Sequence, residues 1–139
     1  MMIRAASYAR VDCWPQRGLV SLAGRFVVET DQGRSLHLPT GMRSDGASVP
    51  NALWGVLEAT PIELLVPGIA HDGAYRIDAR WTLPNGSQSA IRRSDADDLL
   101  RALVLWVGAS DLDAAKVRWG VGVGAAGAWH QRTLDWRPA

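Results

Sequence analysis

His71, Asp72 and Tyr75 fall together in the segment Gly68-Ile69-Ala70-His71-Asp72-Gly73-Ala74-Tyr75. On a helix, His71 and Tyr75 stand four apart and share a face, while Asp72 points about 100° away. Adjacent His and Asp side chains diverge, so they cannot work as a relay on one proton. They can do two jobs around one pocket: an imidazole general base and a carboxylate metal ligand. Oxygen donors without thiolates favour a hard cation such as calcium.

A second acidic run, Ser94-Asp95-Ala96-Asp97-Asp98, opens a later helical segment. If that helix packs antiparallel to the one carrying His71, a carboxylate from it reaches the far imidazole nitrogen. Such a carboxylate fixes the tautomer and stabilises the protonated ring. Asp97 then supports His71, His71 activates a water, and a bound cation steadies the developing oxyanion. Taken alone, Asp97 reads more readily as a capping residue. Ser94 with Asp97 resembles a capping box, and acids suit a helix's first turn. Tyr75 alone reads as core.

The third element is Leu38-Pro39-Thr40-Gly41-Met42-Arg43-Ser44-Asp45-Gly46-Ala47-Ser48-Val49-Pro50. Gly41 and Gly46 allow a tight path that exposes backbone oxygens, and Asp45 adds a carboxylate, so these three are candidate metal ligands beside Asp72. The plainer reading is a β-to-α connection with Asp45 as a turn residue. Gly122–Gly127 spells GxGxxG, yet the chain offers no βαβ unit after it, so it is not read as a dinucleotide site. His37 falls in a strand pattern and reads as surface. Trp129-His130 is a weak metal signal.

These residues need a frame. The chain has 139 residues, 47% hydrophobic and 21% charged, which is ordinary usage for a single globular domain over 1–139. A net charge of +1 argues against broad electrostatic binding to nucleic acid or acidic lipid. Cys13 is the one cysteine, so neither an intrachain disulfide nor a cysteine zinc cluster is open to it. No apolar run is long enough to span a bilayer. The N-terminal stretch MMIRAASYARVD lacks the apolar core of a secretory signal, which points to a chain made and kept in the cytoplasm.

Residues 1–40 read as mainly β. Residues 2–10 alternate loosely, Gly18–Thr30 is rich in Val and Leu, Asp31-Gln32-Gly33 is a turn, and Arg34–Leu38 alternates again. Residues 48–131 read as mainly helical. A short helix follows the Ser48 cap and Pro50 and ends near Thr60-Pro61. A second runs from about Pro67 into Ile77, a third from Ser94 to about Val107, and a fourth opens at Asp111. Residues 80–90 read as a polar loop or small hairpin. The fold class is α+β: N-terminal antiparallel hairpins or a meander, then a bundle of three to four helices. Seven of the aromatics are Trp. Trp106 and Trp119 read as core, Trp81 as an exposed lid or lipid anchor, and Trp14, Trp129 and Trp136 as candidates for partner contact.

The motif order resembles a domain-of-unknown-function family of DUF1353 type, common in phages and prophages. It consists of P-x-G-x-x-S-D-G-A-S-V-P at Pro39–Pro50, A-H-D-x-x-Y at Ala70–Tyr75, R-R-x-x-A-D at Arg92–Asp97, and a C-terminal helix over Gly120–Trp129. That resemblance implies a phage setting, with virion association as one destination, and implies no activity. H-D-x-x-Y followed by A-D on a later helix is also similar to the catalytic helices of phospholipase A(2), especially the version in parvovirus capsids. This second resemblance implies His71 as base, Asp72 as calcium ligand, Asp97 as supporting carboxylate and Tyr75 as a structural partner. The counterpart of that family's calcium loop is Gly41–Gly46, which departs from it in lacking a preceding Tyr.

Three functions follow for testing. The first is a calcium-dependent lipid esterase acting on membrane lipid. The second is a non-catalytic virion or tail protein, binding other virion proteins, in which the same polar residues form a buried network. The third, a His-Asp metal phosphohydrolase, lacks further helical His ligands before His71.

Overall fold

The computed structural model describes residues 1–14, 19–44, 56–60, 63–124 and 129. The Ser48–Pro50 cap, Trp54, Asp45, Gly46, His130 and Trp136 lie outside them. The described elements are β1 Ile3–Ala6, β2 Val11–Trp14, β3 Leu19–Leu22, β4 Phe26–Thr30, β5 Ser35–Leu38, β6 Arg43–Ser44, α1 Leu65–Ala74, β7 Arg80–Thr82, β8 Gln88–Ala90, α2 Arg93–Trp106 and α3 Asp111–Gly124. The arrangement is α+β, as the sequence implies.

The strands form two antiparallel sheets, one in the order β1-β4-β5-β7-β8 and a smaller one in the order β2-β3-β6. The run Gly18–Thr30 is therefore not one strand. It breaks at Ala23-Gly24, and β3 and β4 join different sheets. Of the two readings of residues 80–90, the small hairpin is the one observed. This β7–β8 hairpin adds two strands to the larger sheet, so the second half of the chain is not purely a helical bundle.

Period-two burial on the larger sheet sets its inner face. Phe26 and Val28 of β4, Leu36 and Leu38 of β5, and Trp81 of β7 all point inward. They pack with Ile69, Ala70 and Ala74 of α1 and with Ala96, Leu99 and Leu103 of α2 in one cluster. A second cluster joins Leu100 and Val104 of α2 to Ala114, Val117 and Val121 of α3.

Trp81 is 0% exposed, so it is core and not a lid. It faces inward because β7 pairs it with Leu36. Trp106 is 50% and Trp119 65% exposed, which overturns their reading as core. Trp106 ends α2, where the helix runs out of neighbours. Trp119 shares the outer face of α3 with the exposed Leu112 and Val123.

α1 is built from small residues, LVPGIAHDGA, and is buried on most sides. Pro67 falls in its first turn, where a missing N–H costs little. Gly73 lies against Leu38: a Cβ there would sit 2.9 Å from Cδ1 and closer still to Cδ2. Small residues thus let α1 approach the sheet on one face while its opposite face meets α2.

Candidate functional site

α1 presents His71 and Tyr75 to the first turn of α2, one helical turn apart on one face. His71 is 4% exposed and Asp97 2% exposed. His71 Nε2 lies 2.8 Å from Asp97 Oδ1, and the Tyr75 hydroxyl donates to the same oxygen at 2.6 Å. A carboxylate only accepts, so the Nε2–H donates to it, and Nδ1 lies on the opposite side of the ring. The two rings lie 4.3 Å apart between centroids, and the Trp129 ring meets Tyr75 edge-on at 5.1 Å.

Asp97 does not cap its helix. The N-cap of α2 is Arg92, with no side-chain cap bond. Packing of α1 against α2 places His71 and Tyr75 within reach of the Asp97 carboxylate instead.

Arginines complete the surroundings. Arg93 Nε and Arg118 Nη1 each lie 3.8 Å from Asp97 Oδ2. Burial alone would raise the Asp97 carboxyl. The hydrogen bonds from His71 and Tyr75, with the charges of His71 and Arg118, outweigh it and hold that carboxyl below its ordinary 3.8. Tyr75 moves the other way. Burial and its bond to the carboxylate push the phenol up to about 12, with Arg93 opposing.

Asp72 points away from this pair, as its position predicts. Its Oδ2 accepts from Ser44 Oγ of β6 at 2.5 Å. Gly41 adopts φ +87, a left-handed conformation suited to glycine, and its N–H donates to Leu22 O at 2.7 Å. Met42 O accepts from Leu22 N at 2.8 Å. The structure therefore brings Asp72 beside the strand that follows Gly41, through Ser44, a residue sequence reasoning missed. A Ser beside the predicted ligand Asp45 was the available signal. Asp45 and Gly46 lie outside the described residues.

Calcium takes six to eight oxygens. Here the described residues give oxygen donors of the right type, the Asp72 carboxylate and the Ser44 hydroxyl. Among the described residues no three His, Cys, Asp or Glu side chains gather as a metal group. A cation at Asp72 would need its remaining oxygens from the Gly41–Gly46 backbone, Asp45 or water.

A cleft of about 270 Å³ on the other side of α1 is lined by His37, Leu38, Gly73, Arg76 and Arg80 among others, and does not include His71. His37 is exposed, as its strand pattern predicts. It accepts at Nδ1 from Arg25 Nη2 at 3.0 Å, which leaves its Nε2–H for Ser35 Oγ at 3.0 Å.

The family described as "Protein of unknown function (DUF1353)" matches residues 20–121, a span that holds His71, Asp72, Tyr75, Arg93 and Asp97. No curated protein and no solved structure is significantly similar to the chain.

Proposed function

The chain belongs to the DUF1353 family, a family of unknown function, and from that premise we propose a phospholipase A(2)-like lipid esterase. The observation that carries this reading is the buried His71–Asp97 bond of 2.8 Å with Tyr75 on the same oxygen. It leaves the second imidazole nitrogen oriented and unshared with the carboxylate.

In the proposed reaction, Nδ1 of His71 takes a proton from a water molecule as the water oxygen attacks an ester carbonyl. The tetrahedral intermediate collapses with cleavage of the ester C–O bond. The imidazolium returns its proton to the leaving alkoxide, giving a fatty acid and an alcohol. Asp97 remains a carboxylate and stabilises the charged ring in between. Asp72, with oxygens of the Gly41–Gly46 stretch, would hold a calcium ion. When bound, that ion supplies Lewis-acid polarisation of the carbonyl.

Membrane lipid is the proposed substrate class. The exposed Trp106 and Trp119 support it, because indoles favour headgroup depth. No helix among the described residues is long and apolar enough to cross a membrane, so contact would be from one side.

The second reading is a phage virion or tail protein in which these residues tie helices together. Near-complete burial of His71 and Asp97 favours it, because a satisfied polar network also fixes packing.

Hydrolysis of phospholipid vesicles separates the two. The esterase reading expects fatty acid release in calcium, loss in a chelator, and loss of about 10²–10⁴-fold in His71→Gln. Equal release by wild type and His71→Gln selects the structural reading.

A further inference from the structure

We propose that Arg93 is a positioning residue that fixes the Tyr75–Asp97 pair against His71 by tying it to the backbone of α3. The proposal rests on the esterase reading only for its kinetic consequence.

Arg93 opens α2, four residues before Asp97 and on the same face. A cation in a helix's first turn opposes the macrodipole, so this arginine does not serve its own helix. Its guanidinium instead reaches the last turn of α3. Nη2 donates to Gly122 O at 2.7 Å and to Val121 O at 3.1 Å. Both carbonyls belong to the last described turn of α3, so the contact joins α2 to α3. The same planar group also faces the site. Nε lies 3.5 Å from the Tyr75 oxygen and 3.8 Å from Asp97 Oδ2.

One rigid fork thus spans α1, α2 and α3 at the level of the candidate base. Arg118 neutralises Asp97 from α3 but also pairs with Asp98 at 2.9 Å. Charge compensation is therefore shared, while the mechanical link belongs to Arg93. Lysine carries the charge but not the fork, so it cannot serve the α3 carbonyls and Tyr75 together.

The test reads the His71–Asp97 bond directly. A shielded imidazole N–H bonded to a carboxylate gives a strongly downfield proton resonance, assigned by its loss in His71→Gln. The proposal expects that resonance in wild type, and its broadening or loss in both Arg93→Met and the milder Arg93→Lys. On phospholipid vesicles it expects kcat to fall roughly 10- to 100-fold with KM unchanged. A resonance and kcat that persist in Arg93→Met overturn it. Full recovery of both in Arg93→Lys also overturns it, since charge alone would then suffice. A resonance lost in the variants, together with a wild type that hydrolyses no lipid, upholds the positioning role and sinks the esterase reading instead.

Discussion

His71 and Asp97 stand 26 residues apart in the chain, and their side chains meet at 2.8 Å inside the protein. Asp97 accepts on Oδ1 from both His71 and Tyr75 while two guanidinium groups flank Oδ2. Asp97→Asn keeps the shape and removes the charge. An amide oxygen has two lone pairs and can keep both His71 and Tyr75, but its NH2 then replaces Oδ2 and meets the donors of Arg93 and Arg118. Expected outcomes are a loss of about 1–3 kcal/mol in denaturant unfolding and a fall of about 10²–10⁴-fold in ester hydrolysis. Unchanged stability would show that the carboxylate is not needed in the folded state.

The same network gives the protein a pH signature with two arms. The folded Asp97 carboxyl is held below its ordinary 3.8, after its hydrogen bonds outweigh burial. Its stabilising contribution is present above that ordinary value and is lost as pH falls through the lower folded one. Tyr75 is raised from 10.0 to about 12, so the folded state keeps a proton that the unfolded chain releases. Stability therefore falls as pH rises between those two values. Tyr75→Phe should flatten the alkaline arm and Asp97→Asn the acid arm, each read by denaturant midpoints across pH. An alkaline arm that survives in Tyr75→Phe contradicts the assignment.

Gly73 tests the closeness of α1 to the sheet. Alanine normally improves a helix interior over glycine by about 1 kcal/mol. Here the added methyl meets the side chain of Leu38, which is packed in the main core. Gly73→Ala should therefore destabilise by about 1–3 kcal/mol, with its thermal midpoint lowered. A raised midpoint would mean that α1 and β5 have room to separate.

Burial of the tryptophans yields an opposed pair of outcomes. Trp81 fills the core, where Arg34 also lies over its ring at 4.7 Å, so Trp81→Ala should cost about 3–5 kcal/mol. Trp119→Gln should stay within about 0.5 kcal/mol, because the ring projects into solvent. Chemical denaturation of the two variants measures both. If membrane lipid is the partner, Trp119→Gln should also lower the fraction bound to sedimented vesicles.

What the sequence made legible was local. Four-residue spacing put His71 and Tyr75 on one face, and alternation gave the inner face of β4 and β5. The fourth helix was read to open at Asp111, where α3 begins. The partnership of Asp97 with His71 needed a packing angle that no local pattern carries, and Ser94 pulled the plain reading of Asp97 towards capping. Trp81 misled because a hairpin at Pro84-Asn85-Gly86 was legible, but not its pairing with β5, which turns Trp81 into the core. Trp106 and Trp119 misled in reverse, since helical spacing tells which residues share a face but not whether that face has a neighbour. Arg93 and Ser44 were invisible as site residues because their partners lie on other elements.

Asp113 supplies the last prediction. It sits in the first turn of α3, where an acid is favoured, yet it serves more than its own helix. Its buried carboxylate accepts from the Glu58 N–H at 2.9 Å and the Ala59 N–H at 2.7 Å. Lys116, one turn on, donates to Val56 O at 2.7 Å. Together they pin residues 56–59 to α3, and Ala59 packs in the second core cluster with Leu64, just before α1. Asp113→Ala leaves two backbone donors without their acceptor, one of them in the core. The expected cost is about 2–4 kcal/mol in denaturant unfolding, with faster amide exchange at Glu58 and Ala59. Asp113→Asn retains one acceptor oxygen and should cost roughly half as much. Lys116→Ala, whose contact is exposed, should stay within about 1 kcal/mol. If Asp113→Ala and Lys116→Ala prove equally mild, the carboxylate does not anchor this segment.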